Sequence, residues 1–257
     1  MNRYTLRHLL IVTATFLYLM PSAYGAETTC DRPLIVGYSG DWIPYFSKAG
    51  TSYGGTDFHL LRRTLVRMGC TLNVLPMTEA RSLIEQKKGT FDISIGASLT
   101  KTRQRDFIYS SAYRREAIGL LVRNHGALPE RLSLKSVLER DYKIALNKAG
   151  YFGPKVEVAR KIFSDNFRYS FDIASRLTML LDGDVDAVID DYTALCIEQE
   201  RLIPSSNFIL LDETLHESDI YFIFSKITTS EDFVARFNIA LAQERLVNEG
   251  NVACTNG

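Results

Sequence analysis

Between residues 95 and 103 the chain reads IGASLTKTR: an apolar run ends in glycine, and a hydroxyl and a guanidinium come after it. Arg103 can hold a carboxylate through two parallel charge-assisted hydrogen bonds. Gly96 lets a ligand approach the main chain closely, so that its carbonyl can accept from an ammonium. Ser98 can donate or accept. Spacing alone equally allows a solvated loop arginine. A second charged feature is VDAVIDD at 185–191. Successive strand residues face opposite sides, so only one of Asp190 and Asp191 can face a cleft, and the other is free to cap the next helix. A carboxylate opposite an arginine is what a zwitterion requires, although both aspartates can also be read as caps or surface residues. Trp42, the single tryptophan, stands in GDWIPYF. Its default place is a core, and in a ligand-facing loop its ring would cover an apolar or cationic side chain. GYFGPK at 150–155 reads either as an anion-binding turn or as an ordinary helix start.

Other chemistry is absent from the pattern. There is no nucleophile elbow, no HExxH, no Walker A lysine and no glycine-rich dinucleotide turn. The cysteines (30, 70, 196, 254) are too widely spaced for a zinc site, and the four histidines are scattered. No metal and no cofactor are expected, and the chain reads as a non-enzyme.

The elements that position these residues emerge from periodicity. PLIVGYS (33–39), TLNVLP (71–76) and FDISIGA (91–97) read as buried strands. Between them lie a helix from Asp57, taken as its N-cap, to Met68, and a second helix capped by Thr78 and closed by Gly89. Strand–helix alternation at this spacing implies right-handed crossovers and a parallel sheet, with ligands at the C-terminal strand ends. The loops 38–46, 75–81 and 96–103 are then the ones that matter. A second unit repeats the plan. It has strands at 142–147, 167–172 and 185–190, helices at 150–163 and 174–183, a helix carrying Cys196, and a strand at 208–211. YFIFSK (221–226) and a helix over 231–249 close the chain. Crossings near 114–122 and 216–222 give two lobes.

The first residues carry Arg3 and Arg7, an apolar LLIVTATFLYLM at 9–20, Pro21, and small residues before Ala26. This is the pattern of a signal peptide over 1–25, too short to span a bilayer. Periplasmic export, in which disulfides persist, is expected. The mature chain of roughly 230 residues can bury a substantial core. Lys plus Arg and Asp plus Glu number 30 each, so there is no basic excess for nucleic acid or an anionic membrane. A monomer is the default expectation.

The pieces in this order resemble the periplasmic solute-binding proteins of family 3, the amino-acid-binding group. The residues that carry the resemblance are PLIVGYSGDWIPYF, GGTDFHLLRRTLVRMGCTLNVLP and KKGTFDISIGASLTKTRQRDFIYSSAY in the first lobe. KAGYFGPK, LLDGDVDAVIDD and YFIFSK carry it in the second lobe and at the return crossing. The fold this implies is α/β, two-lobed and periplasmic-binding-protein-like (type II). Each lobe is a parallel-core sheet flanked by helices, with two hinge crossings: lobe 1 over 26–116 and 221–257, lobe 2 over 117–220. By position, the resemblance assigns Gly96, Ser98 and Arg103 to the ligand's α-amino and α-carboxylate groups, with Thr100 ordering the loop. It assigns Asp191 to the ammonium, Trp42 to the aromatic lid, and the Gly150 and Tyr151 amides to the carboxylate. Arg81 resembles an arginine of a less characterised branch. Ala149 stands where the family has glycine, and Lys101 where it has proline.

Function is then an expectation. The protein captures an amino acid or similar carboxylate by lobe closure and hands it to an ABC transporter permease. The alternatives are a cyclohexadienyl-dehydratase-like enzyme, for which Glu79 or Glu116 would be the acid, and a ligand-sensing module. Cys30 precedes the first strand and Cys70 the second, and parallel neighbours start on one edge. A Cys30–Cys70 disulfide is therefore expected, leaving Cys196 and Cys254 unassigned.

Overall fold

The computed structural model describes residues 30–124, 132–202 and 207–247, the side chains at 79, 80, 202 and 247 excepted. The signal segment expected over 1–25, and Cys254, lie outside these residues. The first half runs β1 (Leu34–Tyr38), a hairpin β2 (Ser47–Ala49) and β3 (Ser52–Gly54), α1 (Thr56–Arg67), β4 (Leu72–Pro76), α2 (Glu79–Lys87) and β5 (Ile93–Ser98). It continues through α3 (Lys101–Asp106) and β6 (Phe107–Tyr109) into the long strand β7 (Arg114–Arg123). The second half runs α4 (Leu134–Glu139), β8 (Ile144–Leu146), α5 (Pro154–Ile162), β9 (Phe167–Tyr169), α6 (Ile173–Asp182), β10 (Ala187–Asp191), α7 (Tyr192–Leu202) and β11 (Phe208–Leu210). The second long strand β12 (His216–Ser225) and α8 (Glu231–Val247) then return to the first half.

One sheet links the two halves in the order β4-β1-β5-β12-β7-β10-β8-β9, with β11 on β7 and β6 on β12, and the hairpin β2–β3 stands apart from it. The outer members of each half pair in parallel, as crossover helices demand: β1 with β4 and β5, and β8 with β9 and β10. The two long strands are antiparallel to each other over His216–Ile220 and Arg114–Ile118, and this pairing joins the halves.

Each half builds its own core. In the first, Leu34 and Val36 of β1 meet Phe58, Leu61 and Leu65 of α1, Phe222 and Phe224 of β12 and Phe233 and Phe237 of α8. In the second, alternation along the strands splits the buried residues between two faces. Ile118, Leu120, Ile144 and Ile189 pack on α4 and α5, whereas Leu121, Ala145 and Val188 pack on α6 and α7. Tyr45, with Trp42 against it, belongs to that last cluster although its loop comes after β1. The aromatic loop of one half is thus packed into the other.

Four expectations shift. Gly55, at φ 110, takes the N-cap of α1, and Asp57 lies buried in the first turn instead. Its carboxylate accepts from Tyr113 (2.5 Å) and from Arg114 (3.0 Å), which outweighs a role at the cap. The helix expected from Gly150 starts at Pro154, because Gly153 at φ 91 and the steric bar before proline keep 150–153 out of the helix. The strand expected at 221–226 begins at His216. The 101–106 stretch is a short helix whose N-cap Thr100 accepts from the Arg103 amide at 3.2 Å. The Cys30–Cys70 disulfide is present, with Cα atoms 5.3 Å apart at the shared edge of β1 and β4. Cys196 is also disulfide-bonded. Among the described residues no helix is long and apolar enough to cross a membrane.

Candidate functional site

A cavity of about 190 Å³ opens at the C-terminal ends of β1 and β5, facing β7, the turn after β8 and the start of α6. Trp42, Gly96, Ser98, Arg103, Gly150 and Tyr151 all line it. Arg81 and Asp191 do not. Arg81 is exposed on α2, although its neighbours Ser82 and Leu83 reach the wall.

Gly96 lies where the register between β5 and β12 shifts, the kind of irregularity that re-aims a strand beside a site. Its φ is +78, and a Cβ there would come within 2.3 Å of the Trp42 ring. Only glycine meets both conditions, so the bare backbone is needed by the tryptophan that covers it. The Gly96 amide donates to the Tyr113 hydroxyl at 3.2 Å.

Arg103 is turned back onto the strand end. Its guanidinium donates to the Ser98 carbonyl at 3.1 Å and, across to the second half, to the Ala149 carbonyl at 2.8 Å. Among the described residues it forms no ion pair with a carboxylate. Burial pushes it below the usual guanidinium value, and Tyr109, Glu116 and Glu157 offset only part of that. The facing turn is shaped by Asn147, whose Oδ1 accepts from the Ala149 and Gly150 amides at 2.8 Å each. Arg160 braces it through the carbonyls of Lys148 (3.0 Å) and Gly150 (3.3 Å). The Gly150 amide, expected to meet a ligand carboxylate, is therefore satisfied by the protein itself. Tyr151 stands edge-on to His216.

The two adjacent aspartates separate as strand alternation demands, in a way that position counting did not resolve. Asp190 lines the cavity and is paired with the buried guanidinium of Arg176 on α6, while its Oδ1 accepts from the Asp191 amide at 2.9 Å. Asp191 is 2% exposed and caps α7 through the Ala194 amide at 2.9 Å. It also accepts from the Tyr45 hydroxyl at 2.8 Å and lies 3.7 Å from Arg114. Arg114 stacks over Tyr45, its guanidinium carbon 3.8 Å from the ring centroid, and over Trp42 at 5.0 Å. Burial alone would lower Arg114, but Asp57, Tyr113, Tyr45 and Asp191 outweigh it and raise its value. Burial pushes Asp57, Tyr45 and Asp191 up in turn.

Sequence reasoning missed Asp190 as the lining carboxylate, Arg176, and the weight of Glu116. The signal for the last was YRRE at 113–116, a run of charge opening an otherwise apolar crossing strand. Glu116 lines the cavity and is 8% exposed; its side chain has no hydrogen-bond partner among the described residues. The side chain of Glu79 is not among those described. No group of three or more His, Cys, Asp or Glu side chains among the described residues is arranged to hold a metal ion.

Two α/β halves on one twisted sheet, joined by a pair of long antiparallel strands with a cavity between them, define a type II periplasmic binding fold. Residues 34–150 match the model of the bacterial extracellular solute-binding proteins, family 3, and the family resemblance read from the sequence is shown over that stretch. Solved structures extend the likeness to the second half. An ancestral arginine-binding protein bound to arginine is 18% identical with a TM-score of 0.73, over 83% of this chain and 92% of that one. A histidine kinase sensor domain with similarity to periplasmic binding proteins is 19% identical with a TM-score of 0.72, over 84% and 91%. The ancestral amino-acid-binding protein AncCDT-1, a precursor of cyclohexadienyl dehydratase, is 22% identical with a TM-score of 0.68, over 83% and 90%. A comparison with curated proteins finds no match.

Proposed function

We propose that the protein captures an amino acid, or a similar small zwitterion or carboxylate, between its two lobes in the periplasm and delivers it to an ABC importer without converting it. The lobes are 26–116 with 221–257, and 117–220. Arg103 carries the reading. It is a cavity-lining guanidinium that donates to carbonyls of both lobes and meets no carboxylate among the described residues. A ligand carboxylate supplies the missing countercharge, and in a site shielded from water that pairing is strong. Ser98 and the Gly96 main chain flank it, Trp42 covers it, and Gly150 and Tyr151 close the far wall. Because the partners of Arg103 come from both lobes, a ligand held there favours the closed arrangement over the open one. Asp191 acts indirectly in this reading, by fixing the hinge.

Calorimetric titration with the twenty standard amino acids and a set of small carboxylic acids tests it. Saturable one-to-one binding of at least one of them is expected, with arginine the first to try given the arginine-bound relative. Heats no larger than dilution for every compound would overturn it. The enzymatic alternative has one specific observation in its favour, a carboxyl lining the cavity at Glu116 that burial pushes up to about 8, so that it can donate a proton at neutral pH. Incubation with prephenate or arogenate is expected to leave either substrate unchanged, and an aromatic product would decide for the dehydratase.

A further inference from the structure

The carboxyl at Glu116 differs from every other acid in the cavity wall. Asp41 accepts from the Lys48 amide and the Tyr38 hydroxyl. Asp172 caps α6 through the Ser175 amide at 2.7 Å. Asp190 is paired with Arg176. Glu116 has no such partner among the described residues, yet it is more than nine-tenths buried and reaches the cavity wall.

The groups that face Glu116 explain why it is left over. Arg114 and Ile118 lie two residues to either side on β7 and so share its face. Arg114 is already engaged by Asp57 of α1 at 3.0 Å and lies 3.7 Å from Asp191 of β10, two carboxylates for one guanidinium. Asp190, also on β10, is matched by Arg176 of α6. Directly across on β12 stands Ser218, which carries no charge. Arg103 of α3 faces the same cavity but is held by the carbonyls of Ser98 and Ala149. An ionised Glu116 would add a third carboxylate around Arg114, and the remaining cation of the cavity, Arg103, forms no ion pair with it among the described residues and gives its hydrogen bonds to carbonyls. A buried carboxyl in that position keeps its proton. Burial does most of this, with Asp191, Asp190 and Asp57 adding to it against the pull of Arg114.

We propose that Glu116 is the acceptor for the ligand's ammonium group and gives up its own proton as that group arrives, so that each zwitterion bound releases one proton to the buffer. The ligand keeps its ammonium protons; the proton lost from the Glu116 carboxyl goes to the buffer base, and the ion pair formed supplies the charge balance the site lacked. A carboxylate on Arg103 and an ammonium on Glu116 together fix both ends of an amino acid's backbone. This departs from the assignment of the ammonium to Asp191, both of whose faces are taken by Tyr45, Arg114 and the start of α7. The proposal rests on the amino-acid reading above.

The test is calorimetry on the full mature chain at pH 7, in phosphate and in Tris, with each of the twenty standard L-amino acids and L-arginine first. Apparent enthalpies that differ between the two buffers by the heat of protonating about one buffer molecule are expected. Affinity should rise about tenfold from pH 6 to pH 7, as release of one proton requires. For the amino acid that binds, the 2-hydroxy acid of the same side chain keeps the carboxylate but lacks the ammonium, and should release no proton. Glu116→Gln should lose the buffer dependence and the pH slope and bind at least tenfold more weakly, whereas Glu116→Asp should keep the proton release. Equal enthalpies in the two buffers, or a Glu116→Gln variant with native affinity and native pH slope, overturn the proposal while leaving the amino-acid reading intact. If Glu116→Gln does not fold, the buffer comparison on the unmodified chain decides alone. A chain that binds none of the twenty sinks the amino-acid reading, and this proposal with it.

Discussion

Two guanidiniums are held at the junction of the lobes, and their surroundings differ in one respect. Arg114 lies between Asp57 and Asp191, under the rings of Tyr45 and Trp42, in a network that spans α1, β7 and β10. Arg103 lies between two main-chain carbonyls, and no carboxylate comes within ion-pair distance of it among the described residues. The first cation is neutralised by the protein and the second is not. A buried charge that the fold itself balances is a structural element, whereas one left unbalanced beside a cavity awaits an outside partner. The same contrast runs through the acids, where Asp190 and Asp191 are matched and Glu116 is not.

Breaking the hinge network should have the largest effect. Arg114→Ala leaves Asp57 and Asp191 buried without their cation, and a loss of about 3–5 kcal/mol in urea-unfolding stability is expected. Arg103→Ala should show the opposite profile. Calorimetry is expected to register an affinity loss of about 2–5 kcal/mol, roughly thirtyfold to several thousandfold, with the unfolding midpoint nearly unmoved. If the two variants exchange these profiles, the distinction between structural and ligand-facing cation is wrong. Gly96→Ala should affect both properties, because a Cβ would strain a backbone at φ +78 and displace Trp42. A stability loss of about 1–3 kcal/mol, with weaker binding, is expected from unfolding and titration together. Tyr45→Phe removes one hydrogen bond to Asp191 while leaving Arg114 and the Ala194 amide in place, for about 1 kcal/mol of stability and no change in affinity.

One further effect depends on pH. Glu116 is pushed up to about 8 in the fold, above an ordinary value of 4.5. Between those values the folded form holds a proton that the unfolded chain gives up, so stability from this group is full below the lower value and is lost as pH rises through the upper one. Glu116→Gln should therefore match the unmodified chain at about pH 5 and exceed it at about pH 9 in urea midpoint, without ligand. A constant difference across that range would mean that Glu116 is already ionised.

Much of this architecture was legible in the chain. The apolar runs at 33–39, 71–76 and 91–97, separated by helical periods, fixed a parallel order, and that order placed Cys30 and Cys70 on one edge. The crossings were visible because 114–122 and 216–222 fall between the two repeats. The helix α3 was not, since KTRQRD has no apolar period and its only mark is the hydroxyl at Thr100. The site was half legible for a related reason. Arg103, Gly96, Ser98 and Trp42 sit at the ends of elements whose direction periodicity gives. Which of two neighbouring aspartates faces the cavity depends instead on how β10 meets β7, where Asp190 lies opposite Gly119 and Asp191 opposite Ile118. Pairings between strands so far apart in sequence leave no local trace, and neither does the competition of Asp57 and Asp191 for one arginine.

The second lobe meets Arg103 through the carbonyl of Ala149, held out by the side chain of Asn147. Every residue type carries that carbonyl, so an exchange of the side chain at 149 that keeps the backbone amide leaves the contact in place. Alanine in place of glycine at this position is therefore silent for the contact itself. The vulnerable letter is two codons upstream: replacing Asn147 with an apolar residue frees two amides and lets the turn drift. The contact between the lobes is in this sense encoded at a position that never touches the arginine.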